Sequence, residues 1–156
     1  MLRLGLGLAL AVFALDRVSK ELFLGPLDPG PFGVAIAPFF NLVRVWNKGV
    51  SFGLFHSEFE FMRWGLAGFA LVVSVALTVW LRRAENRLVA AALGLVIGGA
   101  VSNALDRVLW GAVFDFLDFH AWGWHWPAFN IADSAIVLGV GGLLWDGLWR
   151  RPEAPK

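Results

Sequence analysis

The chain has 156 residues, 58% of them hydrophobic and only 16% charged, and its 13 Lys+Arg against 12 Asp+Glu leave a formal charge of +1. Soluble domains average about 45–50% apolar and about 25% charged, so this composition argues against a water-soluble globule, and the near-neutral balance excludes a basic nucleic-acid binder and an acidic disordered tail. The absence of cysteine excludes a disulfide framework, a thiol nucleophile and a thiolate metal site, while nine Trp and fourteen Phe without any Tyr indicate rings at a membrane–water boundary.

The expected architecture is a single membrane domain over 1–156, an all-α four-helix transmembrane bundle with a few strands outside the spans. The spans are expected at about 4–24, 61–81, 88–105 and 131–149. The first begins with Leu4–Leu15, only 12 uncharged residues before Asp16, Arg17, Lys20 and Glu21. Arg3 followed by an apolar run also has the form of a secretory signal. The run leads straight into Asp16–Leu22 on a continuing helical pattern, without a small-residue cleavage site followed by polar sequence, so an uncleaved helix is expected. Charges at that depth require a protein interior rather than lipid around them.

The next segment, about 25–60, does not read as helix. Asn41–Trp46 is rich in β-branched and aromatic residues, Asn47-Lys48-Gly49 is a turn signal, and Val50–Phe55 follows, which predicts a hairpin. Trp64–Leu81 and Leu88–Leu105 are uncharged stretches of 18 residues each, about the length that crosses a hydrocarbon core. Gly94 and Gly98 form a G-x-x-x-G pattern suited to close helix packing. Between the third and fourth spans (about 106–130), Val113–Trp126 alternates loosely and can add strands, which would lie on lipid headgroups or roof a cavity. Ser134–Trp145 offers 12 uncharged residues between Asp133 and Asp146. Asp146 and Arg150 at i,i+4 suggest a surface ion pair.

Four spans put both termini on one side with the loop 82–87. That side carries Arg3, Arg82, Arg83, Arg87, Arg150, Arg151 and Lys156; the other carries Arg17, Lys20, Arg44, Lys48, Arg63 and Arg107. Three Arg crowd the short loop, whereas the opposite charges are spread over two long segments. The positive-inside rule therefore makes the termini cytoplasmic.

Alternating spans bring the polar residues to one level near the outer face. Asp16 and Lys20 sit at the outer end of the first helix, Asn103, Asp106 and Arg107 at the end of the third, and Asn130 and Asp133 at the start of the fourth. Asp16–Lys20 and Asp106–Arg107 can largely satisfy themselves, with Arg17 a further cation. Asp115 and Asp133 have no cation within helical reach. Two unpaired carboxyls held close at low dielectric cannot both ionise. Such a pair suits an aspartic-protease mechanism, in which one carboxylate takes a proton from water and the protonated partner hydrogen-bonds the scissile carbonyl. A proton relay through Asp16, Asp106 and Asp133, in a small transporter or proton-conducting bundle, is the competing reading. A relay needs acids along the membrane depth, and these gather at one face.

At these residues the chain resembles the bacterial lipoprotein signal peptidases (signal peptidase II) along essentially its whole length. The matching blocks are Asp16-Arg17-Val18-Ser19-Lys20, Asn47–Gly53, Gly98–Arg107, Val113-Phe114-Asp115-Phe116 and Phe129–Ser134. The resemblance implies a membrane aspartic endopeptidase of the bacterial inner membrane, with a small extracytoplasmic β-cradle or lid over its site. Such an enzyme cuts diacylglyceryl-modified prolipoproteins on the amino side of the lipidated cysteine, with membrane lipid as its other partner and no cofactor, metal or nucleic acid. It further implies that Asp115 and Asp133 are the catalytic dyad, that Asn103, Asp106, Arg107 and Asn130 are a supporting polar shell, and that Asp16, Lys20, Asn47 and Gly99 are further motif positions. Lys48, where the family has a small or hydroxyl residue, and Val50, where Ala is common, depart from the pattern.

Several residues have a plainer alternative. Asp133 near a helix start also suits the helix dipole. Arg107 is open between a headgroup contact and orienting the substrate backbone, and Asn47-Lys48-Gly49 between a simple turn and a substrate contact. His120 and His125 with Asp115 and Asp118 match no zinc spacing, which favours exposed loop histidines. Asp118 is expected to be solvated.

Overall fold

A computed structural model of the chain describes residues 1–49 and 56–149. The strand expected over 50–55, the departure at Val50, the charges of Arg150, Arg151 and Lys156, and the partner offered to Asp146 by Arg150 lie outside these residues. Asp146 itself accepts a hydrogen bond from the Asn86 side chain at 2.9 Å.

The described residues form four long helices: α1 (Leu2–Leu24), α2 (His56–Arg82), α3 (Arg87–Trp110) and α4 (Ile131–Trp149). Three contain segments long and apolar enough to cross a membrane, Glu60–Arg82, Arg87–Trp110 and Ile131–Leu148. α1 is not among them, because Asp16, Arg17, Lys20 and Glu21 interrupt its apolar run. Its buried residues nevertheless form one stripe, Gly5, Ala9, Val12, Asp16 and Lys20. The i+3/i+4 spacing keeps small residues and charges on the same protein-facing side.

α3 is the central helix, with 67% of its span buried against 17% in each of α2 and α4. It packs on α1, α2 and α4. Close approach depends on glycine: a Cβ on Gly94 would lie 2.3 Å from the Gly5 carbonyl oxygen, and one on Gly98 would lie 2.4 Å from that of Ala9. The G-x-x-x-G pair is thus the face that α1 rests on, and the core beside it includes Ala9, Leu81, Ala90, Leu93 and Ile97. Gly94→Val is expected to cost about 1–3 kcal/mol through overpacking. Thermal unfolding in detergent reads this, and an unchanged midpoint would show that the helix seam yields freely.

α3 runs to Trp110, so residues 106–110 expected in the connection are helical. Its ends explain its extent. Asn86 caps the first turn by accepting from the Val89 N–H at 2.7 Å, and Gly111 closes the helix in the left-handed conformation (φ 78°). Arg63 of α2 donates to the last carbonyls, from Nε to Arg107 O at 2.7 Å and from Nη2 to Val108 O at 2.8 Å.

The small sheet is antiparallel throughout, in the order β1 (Val34–Ala37), β2 (Phe40–Asn47), β3 (Val113–Ala121), β4 (Trp124–His125). The expected strand Asn41–Trp46 is the body of β2. Its hairpin partner among the described residues lies upstream, where the apolar run of β1 turns back through Pro38-Phe39 and pairs Val34 with Leu42. On its other side β2 meets β3, with Phe40 opposite Phe119 and Val45 opposite Asp115. β3 leaves directly from the end of α3 and β4 leads back toward α4, so the sheet is rooted where these two helices meet.

Candidate active site

The local chemistry starts at the head of α4. Asn130 and Asp133 form a reciprocal capping box. The Asp133 N–H donates to Asn130 Oδ1 at 2.9 Å, and the Asn130 N–H donates to Asp133 Oδ2 at 3.2 Å. The cap fixes both side chains, and it leaves the Asn130 amide nitrogen free to reach β3. There Nδ2 donates to Asp115 Oδ1 at 2.7 Å. One asparagine therefore binds both candidate acids.

Each acid has a second donor. Asn103 of α3 donates from Nδ2 to Asp133 Oδ1 at 2.7 Å. Asn47, at the end of β2, donates from Nδ2 to Asp115 Oδ2 at 3.0 Å. Its Oδ1 accepts the Gly49 N–H at 2.9 Å, and Gly49 adopts φ 97°. Asn47-Lys48-Gly49 is thus a turn, and the turn fixes which end of the Asn47 amide faces Asp115. Asp115 is 1% exposed. Burial, followed by the nearby Asp133 carboxylate, raises its pKa to about 6 against the opposing hydrogen bonds of Asn47 and Asn130.

Beneath the acids lies a fully buried ion cluster. Lys20 Nζ is 2.6 Å from Asp16 Oδ2 and 2.6 Å from Asp106 Oδ2, and it donates to Asn103 Oδ1 at 3.2 Å. Asp16 also accepts from Ser102 Oγ at 2.6 Å and from the Ala132 N–H at 2.9 Å. Asp106 pairs with Arg17 and accepts the Phe114 N–H at 3.3 Å. The cluster ties α1, α3, the start of β3 and the head of α4 together. Lys20 also orients Asn103: with its oxygen toward the ammonium, the amide nitrogen points to Asp133. Gly99 completes the support, since a Cβ there would sit 2.4 Å from the Ala132 carbonyl oxygen and push α4 away.

Two expectations are corrected. Asp106 does not pair with Arg107; successive helical residues diverge by about 100°, and Asp106 faces Lys20 and Arg17 instead. The Arg107 guanidinium donates from Nη1 to the Asn103 carbonyl at 3.2 Å, and among the described residues its buried Nε has no hydrogen-bond partner. Asp118 is not solvated. It is 6% exposed, accepts from Asn41 Nδ2 at 2.8 Å and lies 2.9 Å from His125 Nδ1. Strand alternation puts Asp118 and His120 on the face opposite Asp115, so these residues cannot join Asp115 in one metal site. The described residues hold no group of three or more His, Asp or Glu arranged for a metal ion.

No signal in the sequence marks the roles of Arg63, Ser102 and Asn41. Ser102 follows Asp16 only through a contact 86 positions away, and Arg63 acts on backbone carbonyls, which leave no mark in a motif. The Asn-x-x-Asp spacing of the capping box is the one local signal that marks Asn130.

The family model described as signal peptidase (SPase) II matches residues 8–149. A lipoprotein signal peptidase of Methylobacterium sp. (strain 4-46) is 51% identical over 147 residues, covering 94% of this chain and 89% of its own. That of Methylorubrum extorquens (strain PA1) is 49% identical over 155 residues, covering 99% and 91%. A bacterial membrane enzyme solved by the in meso method at 1.9 Å superposes with a TM-score of 0.78 at 28% identity, over 94% of each chain. A second structure, at 2.3 Å, gives 0.74 over 97% of this chain and 94% of that one. With a family match across nearly its whole length and relatives near half identity, the chain belongs to the signal peptidase II family of membrane aspartic peptidases.

Proposed function

We propose that this chain removes the signal peptide from diacylglyceryl-modified prolipoproteins, cutting on the amino side of the lipidated cysteine, with Asp115 and Asp133 as its catalytic dyad. The observation that carries the assignment is Asn130, which donates to Asp115 while capping α4 through Asp133. The pair shares one proton. The charged carboxylate takes a proton from water, the hydroxide oxygen bonds the scissile carbonyl carbon, and the protonated carboxyl donates to the carbonyl oxygen. Collapse of the tetrahedral intermediate breaks the C–N bond, and a carboxyl proton goes to the leaving amine. Arg107 feels the charges of Asp133 and Asp115, and its buried Nε has no hydrogen-bond partner among the described residues, so it is suited to hold a substrate backbone carbonyl. No step requires a metal.

A single four-span membrane domain supports this chemistry. The 23 residues of α1 reach about 34 Å at 1.5 Å per residue, enough to cross with its charges turned inward on the protein-facing stripe. In this arrangement both termini are cytoplasmic, and the acids lie near the extracytoplasmic face of the inner membrane. Signal helix and acyl chains then partition laterally from lipid toward the dyad.

The deciding experiment incubates purified protein with a diacylglyceryl-modified precursor and finds the cut by mass. Cleavage immediately before the modified cysteine, insensitive to chelator, is expected; cleavage elsewhere or loss with chelator overturns the proposal. The same assay tests the electrostatics. Activity requires the shared proton, so kcat/KM falls on the alkaline side as the dyad loses it. The Asn47 side-chain amide, donating from Nδ2, stabilises charged Asp115, and its removal raises the Asp115 pKa further. Asn47→Ala is therefore expected to move the alkaline limb of the pH profile to higher pH; a limb displaced downward contradicts the assignment.

A further inference from the structure

The far end of the sheet carries two segments that the peptidase chemistry does not use. Residues 29–40 contain no charged side chain, and residues 119–129 contain only two histidines. The register joins them, with Phe40 opposite Phe119 and the His120 N–H donating to Phe39 O at 2.9 Å. Their side chains are turned outward. Trp122, Trp124 and Trp126 are 102%, 84% and 70% exposed, and Phe32 and Phe39 are exposed as well. Phe39, Phe119 and these three Trp border a shallow apolar hollow of about 620 Å³.

The tip has a second peculiarity. β3 and β4 are joined through Trp122 and Gly123, both at positive φ (49° and 80°). Such turns favour Asn or Gly at the first central position, and a bulky side chain there is strained. The strain falls on a residue whose side chain is fully exposed, which points to a function outside the protein.

We propose that the Trp122–Trp126 hairpin is an interfacial anchor, seated at the headgroup–acyl boundary of the phospholipid leaflet nearest the dyad. It holds β3, and with it Asp115, at a fixed depth. Lipid is the occupant for three reasons. Indole combines an apolar body with one N–H donor and concentrates at that boundary. Exposed apolar residues also stand at the sheet end of α1 (Leu15, Val18 and Leu22) and on the edge strand β1 (Val34 and Ile36), as a surface in contact with lipid requires. An uncharged edge left in water would invite aggregation. Finally, the hairpin presents no bare carboxylate, since Asp118 is tucked under Asn41 and His125.

The inference rests on the bilayer-crossing reading above, and the test separates the two. The chain has no cysteine, so nitroxide labels report from single sites without background. Trp122→Cys, Val72→Cys on the exposed face of mid-α2, and Glu85→Cys in the α2–α3 connection are labelled in the full chain. They are then reconstituted in phosphatidylethanolamine/phosphatidylglycerol vesicles. Collisions with oxygen, enriched in lipid, and with a water-soluble nickel chelate are measured by electron paramagnetic resonance. The label at 122 is expected to gain oxygen collisions and lose chelate collisions relative to 85, approaching the label at 72. Chelate access at 122 equal to that at 85, with 72 in lipid, overturns the anchor alone. Loss of both collision types at 122 overturns it in favour of a covering protein or second copy. Chelate access at 72 overturns the membrane reading and the anchor with it.

Discussion

Asp115→Asn and Asp133→Asn are each expected to lower kcat for lipidated precursor by about 10²–10⁴-fold, the usual contribution of a positioned acid or base. Neither is expected to unfold the protein. In Asp133→Asn the amide oxygen can still accept the Asn130 N–H, so the cap survives in kind, and loss of a cap costs only about 1 kcal/mol. Because the carboxyls act as one unit, the double variant should be scarcely worse than either single one. Single-turnover cleavage, alongside thermal unfolding in the same detergent, distinguishes lost chemistry from lost fold. Full turnover by either variant would end the dyad assignment.

The largest stability effect belongs to Lys20. Its ammonium is fully buried against Asp16 and Asp106. Breaking a buried pair by removing one partner typically costs about 3–5 kcal/mol, because a charge is left in low dielectric without compensation. Lys20→Met is expected to fall in that range. Arg17 still serves Asp106, but Asp16 keeps only the Ser102 hydroxyl and the Ala132 N–H. Adding Asp16→Asn should therefore recover much of the loss, a non-additivity expected of residues in one network. Activity should fall in Lys20→Met as well, since Asn103 loses the bond that aims its amide at Asp133. A double variant as unstable as the sum of its parts would show that Asp16 and Lys20 do not act together.

Much of the frame was legible in the residues. Apolar stretches mark the helices, β-branched and aromatic residues mark β2, loose alternation marks β3, and the i,i+4 spacing of Asp16 and Lys20 marks a pair that does form. Local rules fail where the neighbour in space is not the neighbour in sequence. Asp106 looked served by Arg107, yet its cations come from α1. Asp118, which matches no family position, reads as solvated; Asn41, 77 positions away, and His125 on the paired strand cover it.

Composition and periodicity alone determined that the chain is a membrane protein, that its polar residues gather at one end of the helices, and that two acids there lack a local cation. These properties depend on helical and strand repeats, which are short-range. Which groups meet at that end was decided only by tertiary structure. Lys20 reaches Asn103 across 83 positions, and Asp16 reaches the head of α4 across 116. Such pairings follow from how glycine-lined helices approach and how β3 returns to α4, and no repeat within a segment encodes the rotation of one helix against another.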